Sequence, residues 1–288
     1  MERELFSELS TLVAQAAPSG SIRVQFSDSR IVLVYLWAVH HDRPVSWGCR
    51  RGNWPLWARR HALPSEPTMS RRLRSESVQT LLDRVERISQ PPPADDTLVI
   101  DSKPLPVGEY SKDRHARTGY AAGSFARGYK LHLICDLNRC VHAWDIASMN
   151  VGEPKLAHEL IDRLNVGGFW LVGDSAYDSN ELHEHADRLG LRLIAPRKKR
   201  GRGLGNRRHS PSRLRSITIT EGPRSQLNDD LIRKRDSIER FFGNLTTYGG
   251  GLSPLPAWVR TPRRVRRWVQ GKLILNALRI RQRARRCA

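Results

Sequence analysis

The hydrophobic period of this chain changes at Pro91-Pro92-Pro93, and that change limits the fold more than any other feature. Upstream, Val78, Leu81, Leu82, Val85 and Ile88 recur at helical spacing behind Ser75, a good helix N-cap. Ser27 or Asp28 can start another helix running through Val39. Downstream, Thr97 to Val107 begins as a buried strand, and Gly128 to Asp136 alternates, with Tyr129, Leu131 and Leu133 on one side. Consecutive prolines cannot continue a helix and make a stiff connector. The expected division is a helical domain over residues 1–90, a Pro-rich linker at 91–96 and an α/β domain over 97–288.

Within the second domain, Asp136-Leu137-Asn138-Arg139 reads as a turn into a third strand, Cys140 to Ala147, so the sheet opens antiparallel. A helix from Glu153 to Leu164, a short strand from Phe169 to Val172, a helix from Ser179 to Leu189 and a strand from Leu191 to Ala195 follow. That order defines a mixed sheet flanked by helices. The stretch from Arg197 to Arg215 has no apolar period and is dense in Arg, Lys and Gly, so residues 197–228 are expected to form a basic loop, either solvated and flexible or ordered on DNA. A helix from Asp229 to Leu245 and a basic helical tail from Arg260 to Arg286 complete the chain.

Charge narrows the partner. Lys and Arg number 49 against 29 Asp and Glu, a formal net charge of +20, and a field of that sign attracts a nucleic-acid backbone. No membrane anchor is expected, because the longest apolar run, Ile31 to Val39, falls far short of the about 20 residues a spanning helix needs, and DNA is taken as the partner ahead of an anionic membrane surface. The start, MERELFSELS, has no apolar stretch behind a basic segment, so a cytoplasmic protein is expected. Cys49, Cys135, Cys140 and Cys287 show no paired spacing and no His spacing for tetrahedral zinc, and read as reduced thiols.

Three acids stand where chemistry would need them. Asp101 interrupts a buried apolar strand, which is costly unless a metal or partner meets it. Asp174 follows the C-terminal end of a strand, the usual place for active groups in open α/β sheets. Glu239 lies on a helix four residues after Arg235, sharing one face with it. Lys130 and His132, two apart on a strand, point to one face, where a Lys near phosphate would orient DNA. His183 and His185 are two apart on a helix and do not share a face, which argues against metal there.

The segments IDSKPLPV around Asp101, GYKLHLICD around Lys130, LVGDSAYDS around Asp174 and RKRDSIERFFGNL around Glu239 occur in an order that resembles the DDE transposases of bacterial insertion sequences. The resemblance implies a ribonuclease-H-like catalytic domain with Asp101, Asp174 and Glu239 as a carboxylate triad holding Mg²⁺, or Mn²⁺ in its place. It also implies cleavage at element ends and strand transfer into target DNA, carried out by a homodimer on the terminal inverted repeats. Ile232 and Thr246 depart from the pattern, where many relatives carry Tyr and a basic residue. A hydrolysis-only nuclease and an inactive DNA-binding remnant share part of these features. For end recognition, Trp54 to Ala62 and Pro67 to Arg74 are expected to form a helix-turn-helix, with Arg71 and Arg74 at the DNA. Arg235 is expected to contact DNA beside the triad.

Overall fold

Helix starts in the N-terminal segment follow the capping residues of the sequence. The computed structural model describes the chain apart from residues 1, 19–24, 60–61, 94–95, 109, 122, 165–167, 199–202, 205–207, 224, 248–251, 253 and 288, and the side chains of Ile232 and Cys287. Five helices come first: α1 (Glu2–Ala16), α2 (Asp28–His40), α3 (Val45–Gly48), α4 (Glu66–Arg72) and α5 (Glu76–Ser89). The Ser27 hydroxyl accepts the Arg30 N–H at the start of α2, as its position suggests. α2 is apolar nearly all round and buries Ile31, Val32, Val34, Leu36 and Trp37. Trp37 stacks on Trp54 with ring centroids 5.0 Å apart, and Phe6 meets both rings edge-on.

That aromatic cluster overturns the expected helix-turn-helix. Burial of the Trp54 indole, which donates to the Gly48 carbonyl at 2.8 Å, holds the chain in an irregular path. Pro55 has no N–H, and the Arg59 guanidinium takes the Trp54 and Gly52 carbonyls. Only a 3-10 turn, Leu56–Ala58, forms in the described part of the stretch expected as the first helix. The second survives as α4, which spans 7 residues behind its Ser65 cap with Pro67 in the first turn.

After the linker come β1 (Thr97–Pro106), β2 (Arg117–Ala121), β3 (Ser124–Asp136), β4 (Val141–Ser148), α6 (Glu153–Ile161), β5 (Trp170–Val172), α7 (Asn180–Arg188), β6 (Arg192–Ile194), α8 (Pro211–Glu221) and α9 (Gln226–Thr247). The strands form one mixed sheet. β1 pairs antiparallel with β3, and β5 and β6 extend the other side of β1 in parallel. The outer edge of β3 is shared: β2 pairs with its first part, β4 with the rest. This is the α/β class expected, a mixed sheet flanked by helices beside an N-terminal helical region.

Two elements were not foreseen. β2 (RTGYA) buries only Gly119 and Ala121, so it shows no apolar alternation to read. α8 lies inside the stretch expected as a loop, and it buries only Ser216, whose hydroxyl accepts the Ala195 N–H and donates to the Ala195 carbonyl. A helix whose one fully buried side chain is a hydroxyl leaves no apolar stripe in the sequence.

Strand alternation sorts the sheet faces. Leu98, Ile100, Ile134, Leu171 and Leu193 form one core with Leu160 of α6 and Leu182 of α7. Val172, Ile194 and Leu231 form a second, under α9. The last helix, α10 (Pro262–Cys287), was expected with the catalytic domain but packs with α1–α5 in a separate compact unit. Gly271 makes this approach feasible, since a Cβ there would sit 3.1 Å from Val39 Cγ1 on α2. Lys272 donates to the Val39 carbonyl at 3.0 Å, and Gln270 bonds Gln79, Asp83 and Glu86.

Candidate active site

Alternation along β1 turns Asp101 away from Ile100 and its core, towards the face covered by α9. Its Oδ1 accepts the Ser102 N–H at 2.7 Å, leaving the second oxygen for other partners. β5 ends at Val172, and Gly173 then makes a tight turn: a Cβ there would lie 2.8 Å from Tyr177 Cδ2 and 3.0 Å from Ile100 Cγ2. Asp174 follows as the cap of a 3-10 turn, Ser175–Tyr177, with Oδ1 accepting the Ala176 N–H at 2.8 Å. On α9 the buried Leu231 packs against Val172 of β5 and Ile194 of β6. Glu239 stands on its exposed side, 4.0 Å from Arg235 and 68% exposed, a pair of the kind that contributes little to stability.

Asp101, Asp174 and Glu239 line a single cavity of about 490 Å³, with Arg197, Lys198 and Arg235 also on its walls. Burial pushes the Asp101 carboxyl up to about 7; the Asp174 and Glu239 carboxylates push the same way, against the Ser102 N–H and the Arg235 guanidinium. The three acids are thus electrostatic neighbours although 138 residues separate the first from the last (239 − 101). Their ligand atoms do not all lie within 4.8 Å of one another. Asp101 and Asp174 are half-buried and Glu239 is exposed, so Glu239 is the outer member of the set.

A clamp that the sequence did not announce supports the cavity. Asp178, buried just after the Asp174 turn, takes both ends of the Arg213 guanidinium from α8, at 2.6 and 2.8 Å. The Lys198 N–H reaches Asp178 Oδ2 at 3.3 Å, so the clamp also holds the Pro196–Lys198 wall. Arg197 pairs with Glu221 at the end of α8. The only sequence signal for this was a second Asp in GDSAYDS. Asp178 is no substitute triad member, because Arg213 occupies both of its oxygens.

Other expected contacts fall differently. Lys130 is buried, and its ammonium bonds Glu153 of α6 at 2.7 Å. Its neighbour His132 pairs in register with Ser102, whereas Asp101 pairs with Leu133, so Lys130 and His132 face away from Asp101. Lys130 is therefore a buried ion pair, not a phosphate contact. Arg71 and Arg74 are exposed, the latter with its Nε on the Ser70 carbonyl. Arg235 is at the cavity as expected. Thr246 is half-buried on α9, and the side chain of Ile232 lies outside the described residues.

No curated protein sequence matches the chain. Among solved structures it is similar to a piggyBac transposase, seen by cryo-EM in a synaptic complex with hairpin DNA, at 11% identity and a TM-score of 0.50 over 97% of this chain and 72% of that one. At that identity the likeness is one of fold. Residues 92–274, which carry every strand of the sheet and all three cavity acids, match the family model described as the transposase DDE domain. This chain belongs to that family.

Proposed function

We propose that the chain cuts DNA at the ends of an insertion sequence and joins them to target DNA, with Asp101, Asp174 and Glu239 as the acids that hold its divalent ions. The observation carrying this reading is their convergence, from β1, the β5 turn and α9, on one cavity walled by basic side chains. The donor set is all oxygen, which suits Mg²⁺ or Mn²⁺ and not a thiophilic metal. Two such ions, when bound, activate the attacking oxygen and stabilise the leaving one. Burial favours the protonated form of Asp101, and a divalent ion binding there would displace that proton. Lys198 and Arg235 neutralise the entering phosphate, and Glu239, on the open side, closes the set when DNA arrives.

DNA as partner is supported by the net charge of +20 and by the DNA-bound state of the piggyBac neighbour. Two ends must be brought together before joining, so the working form is a homodimer on two terminal repeats. The helical unit reads those ends through Arg71 and Arg74. The test uses the full chain, pre-cut element ends and a supercoiled target in Mg²⁺. Asp101→Asn, Asp174→Asn and Glu239→Gln should each abolish nicking and joining while leaving DNA binding intact. Near-normal cleavage by any one removes that residue from the triad, and cleavage without joining by the unaltered chain makes it a hydrolytic nuclease instead.

A further inference from the structure

The β3–β4 hairpin brings together three side chains that the cavity does not use. Asp136 ends β3, Cys140 follows the turn and His142 lies one residue into β4; one ligand atom from each falls within 4.8 Å of the others. Asp136 Oδ1 accepts the Cys140 N–H at 3.0 Å, and Oδ2 lies 3.1 Å from His142 Nε2. Arg139, at φ 65°, turns the chain back so that Cys140 sits over Asp136. The Asp136 side chain is fully buried, Cys140 is buried, and His142 keeps 17% of its side chain exposed. Asp136 pairs with Leu98, whose neighbour Ile100 shares its face, so this cluster lies on the side of the sheet opposite Asp101.

We propose that Asp136, Cys140 and His142 form a second metal site, which takes a borderline-soft divalent ion such as Zn²⁺ and pins the hairpin. A carboxylate, a thiolate and an imidazole are a zinc donor set, and three protein ligands leave a fourth position for water. Zinc at about 2.0 to 2.3 Å from each ligand needs them roughly 3.3 to 3.7 Å apart. The Asp136 Oδ2–His142 Nε2 separation of 3.1 Å is already near that range, and the three ligand atoms lie within 4.8 Å of one another. On binding, the Cys140 S–H bond breaks and its proton goes to solvent, a Zn–S bond forms, and no electron moves. His142 binds through Nε2 with its proton on Nδ1, and Asp136 through Oδ2, while Oδ1 keeps the Cys140 N–H. The oxygen-only cavity acids prefer a different ion, so the two sites sort their metals by ligand chemistry.

Cobalt(II), a spectroscopic stand-in for zinc, tests this in the metal-stripped, reduced full chain. One equivalent should produce a thiolate-to-cobalt absorption band and the visible bands of a tetrahedral ion, both displaced by Zn²⁺ and not by Mg²⁺. Cys140→Ser should remove the thiolate band, Cys49→Ser should keep it, and His142→Asn should weaken cobalt binding about tenfold or more. Zn²⁺ at a hundredfold excess over its dissociation constant should slow hydrogen exchange of the Cys140 amide, which Asp136 Oδ1 accepts, by up to about a hundredfold in the unaltered chain and not in Cys140→Ser. Absence of the band in the unaltered chain, or its persistence in Cys140→Ser, overturns the site without bearing on the DNA chemistry.

Discussion

Replacing Arg213 by Met tests whether the α8 clamp holds the active cavity. The Asp178 side chain is 2% exposed and that of Arg213 15%. Burial alone would push the Asp178 carboxyl up; the Arg213 hydrogen bonds and charge outweigh it and hold the carboxyl below the ordinary range. Methionine keeps the apolar stem of the side chain and leaves Asp178 buried with, among the described residues, only the Lys198 N–H to meet its charge. Breaking a buried pair in this way costs about 3 to 5 kcal/mol, here towards the lower figure because Arg213 touches solvent. Asp178→Asn with Arg213→Met removes both charges and should recover about 1.5 to 3 kcal/mol of that loss as coupling between the two sites. A whole-chain melt is the wrong assay for a two-unit protein, since its transition need not be two-state. Native-state hydrogen exchange resolves the region directly, through amides such as Gly173, which donates to the Ile194 carbonyl at 2.9 Å, and His183 of α7. Arg213→Met should lose protection there, and cleavage should fall with it as the Lys198 wall loosens. Equal loss of protection in the single and double variants would refute the reasoning, because Asp178 would then not depend on Arg213 for its charge.

Gly173→Ala should cost about 1 to 3 kcal/mol, because its Cβ meets Tyr177 and Ile100 at 3.0 Å or less, and should impair cleavage by displacing Asp174; hydrogen exchange and a nicking assay read the two effects. Burial lowers the His132 and His183 imidazoles to about 4, so both stay neutral in the fold while the unfolded chain protonates near 6.5. The contribution of these two histidines to stability should therefore be constant above about pH 6.5 and turn unfavourable as pH drops towards 4, by on the order of 3 kcal/mol each, a loss that Asn at either position would reduce in an acid titration compared with the unaltered chain. Arg71→Ala or Arg74→Ala should weaken binding to element ends by about 1 to 3 kcal/mol more than binding to random duplex. Arg208→Ala or Arg264→Ala should weaken both alike and lower the salt slope by about 1, measured by titration at several salt concentrations.

Capping and period are relations between neighbours in the chain, so the elements built on them could be read from residues alone. Ser27 before α2, the alternation of Leu131 and Leu133 on β3, and the apolar stripe of α5 each name their own element. So could the three acids, because a charged group inside the apolar run of β1 or beside a strand end is conspicuous against its local background. Tertiary structure decided what depends on partners far along the chain. α8 docks through one hydroxyl and a distant carboxylate, leaving no periodic trace. Burial of Trp54 displaced the first of the two helices expected there, and the fit of Gly271 against Val39 drew α10 to the helical unit. Lys130 looks free in sequence and is taken by Glu153, 23 positions away (153 − 130). Asp136, Cys140 and His142 show no recognised metal spacing, and only the turn at Arg139 places their ligand atoms together. A side chain's charge and size travel with its letter in the sequence, but its partner and its solvation are set by which distant residues the packed fold brings within a few ångströms.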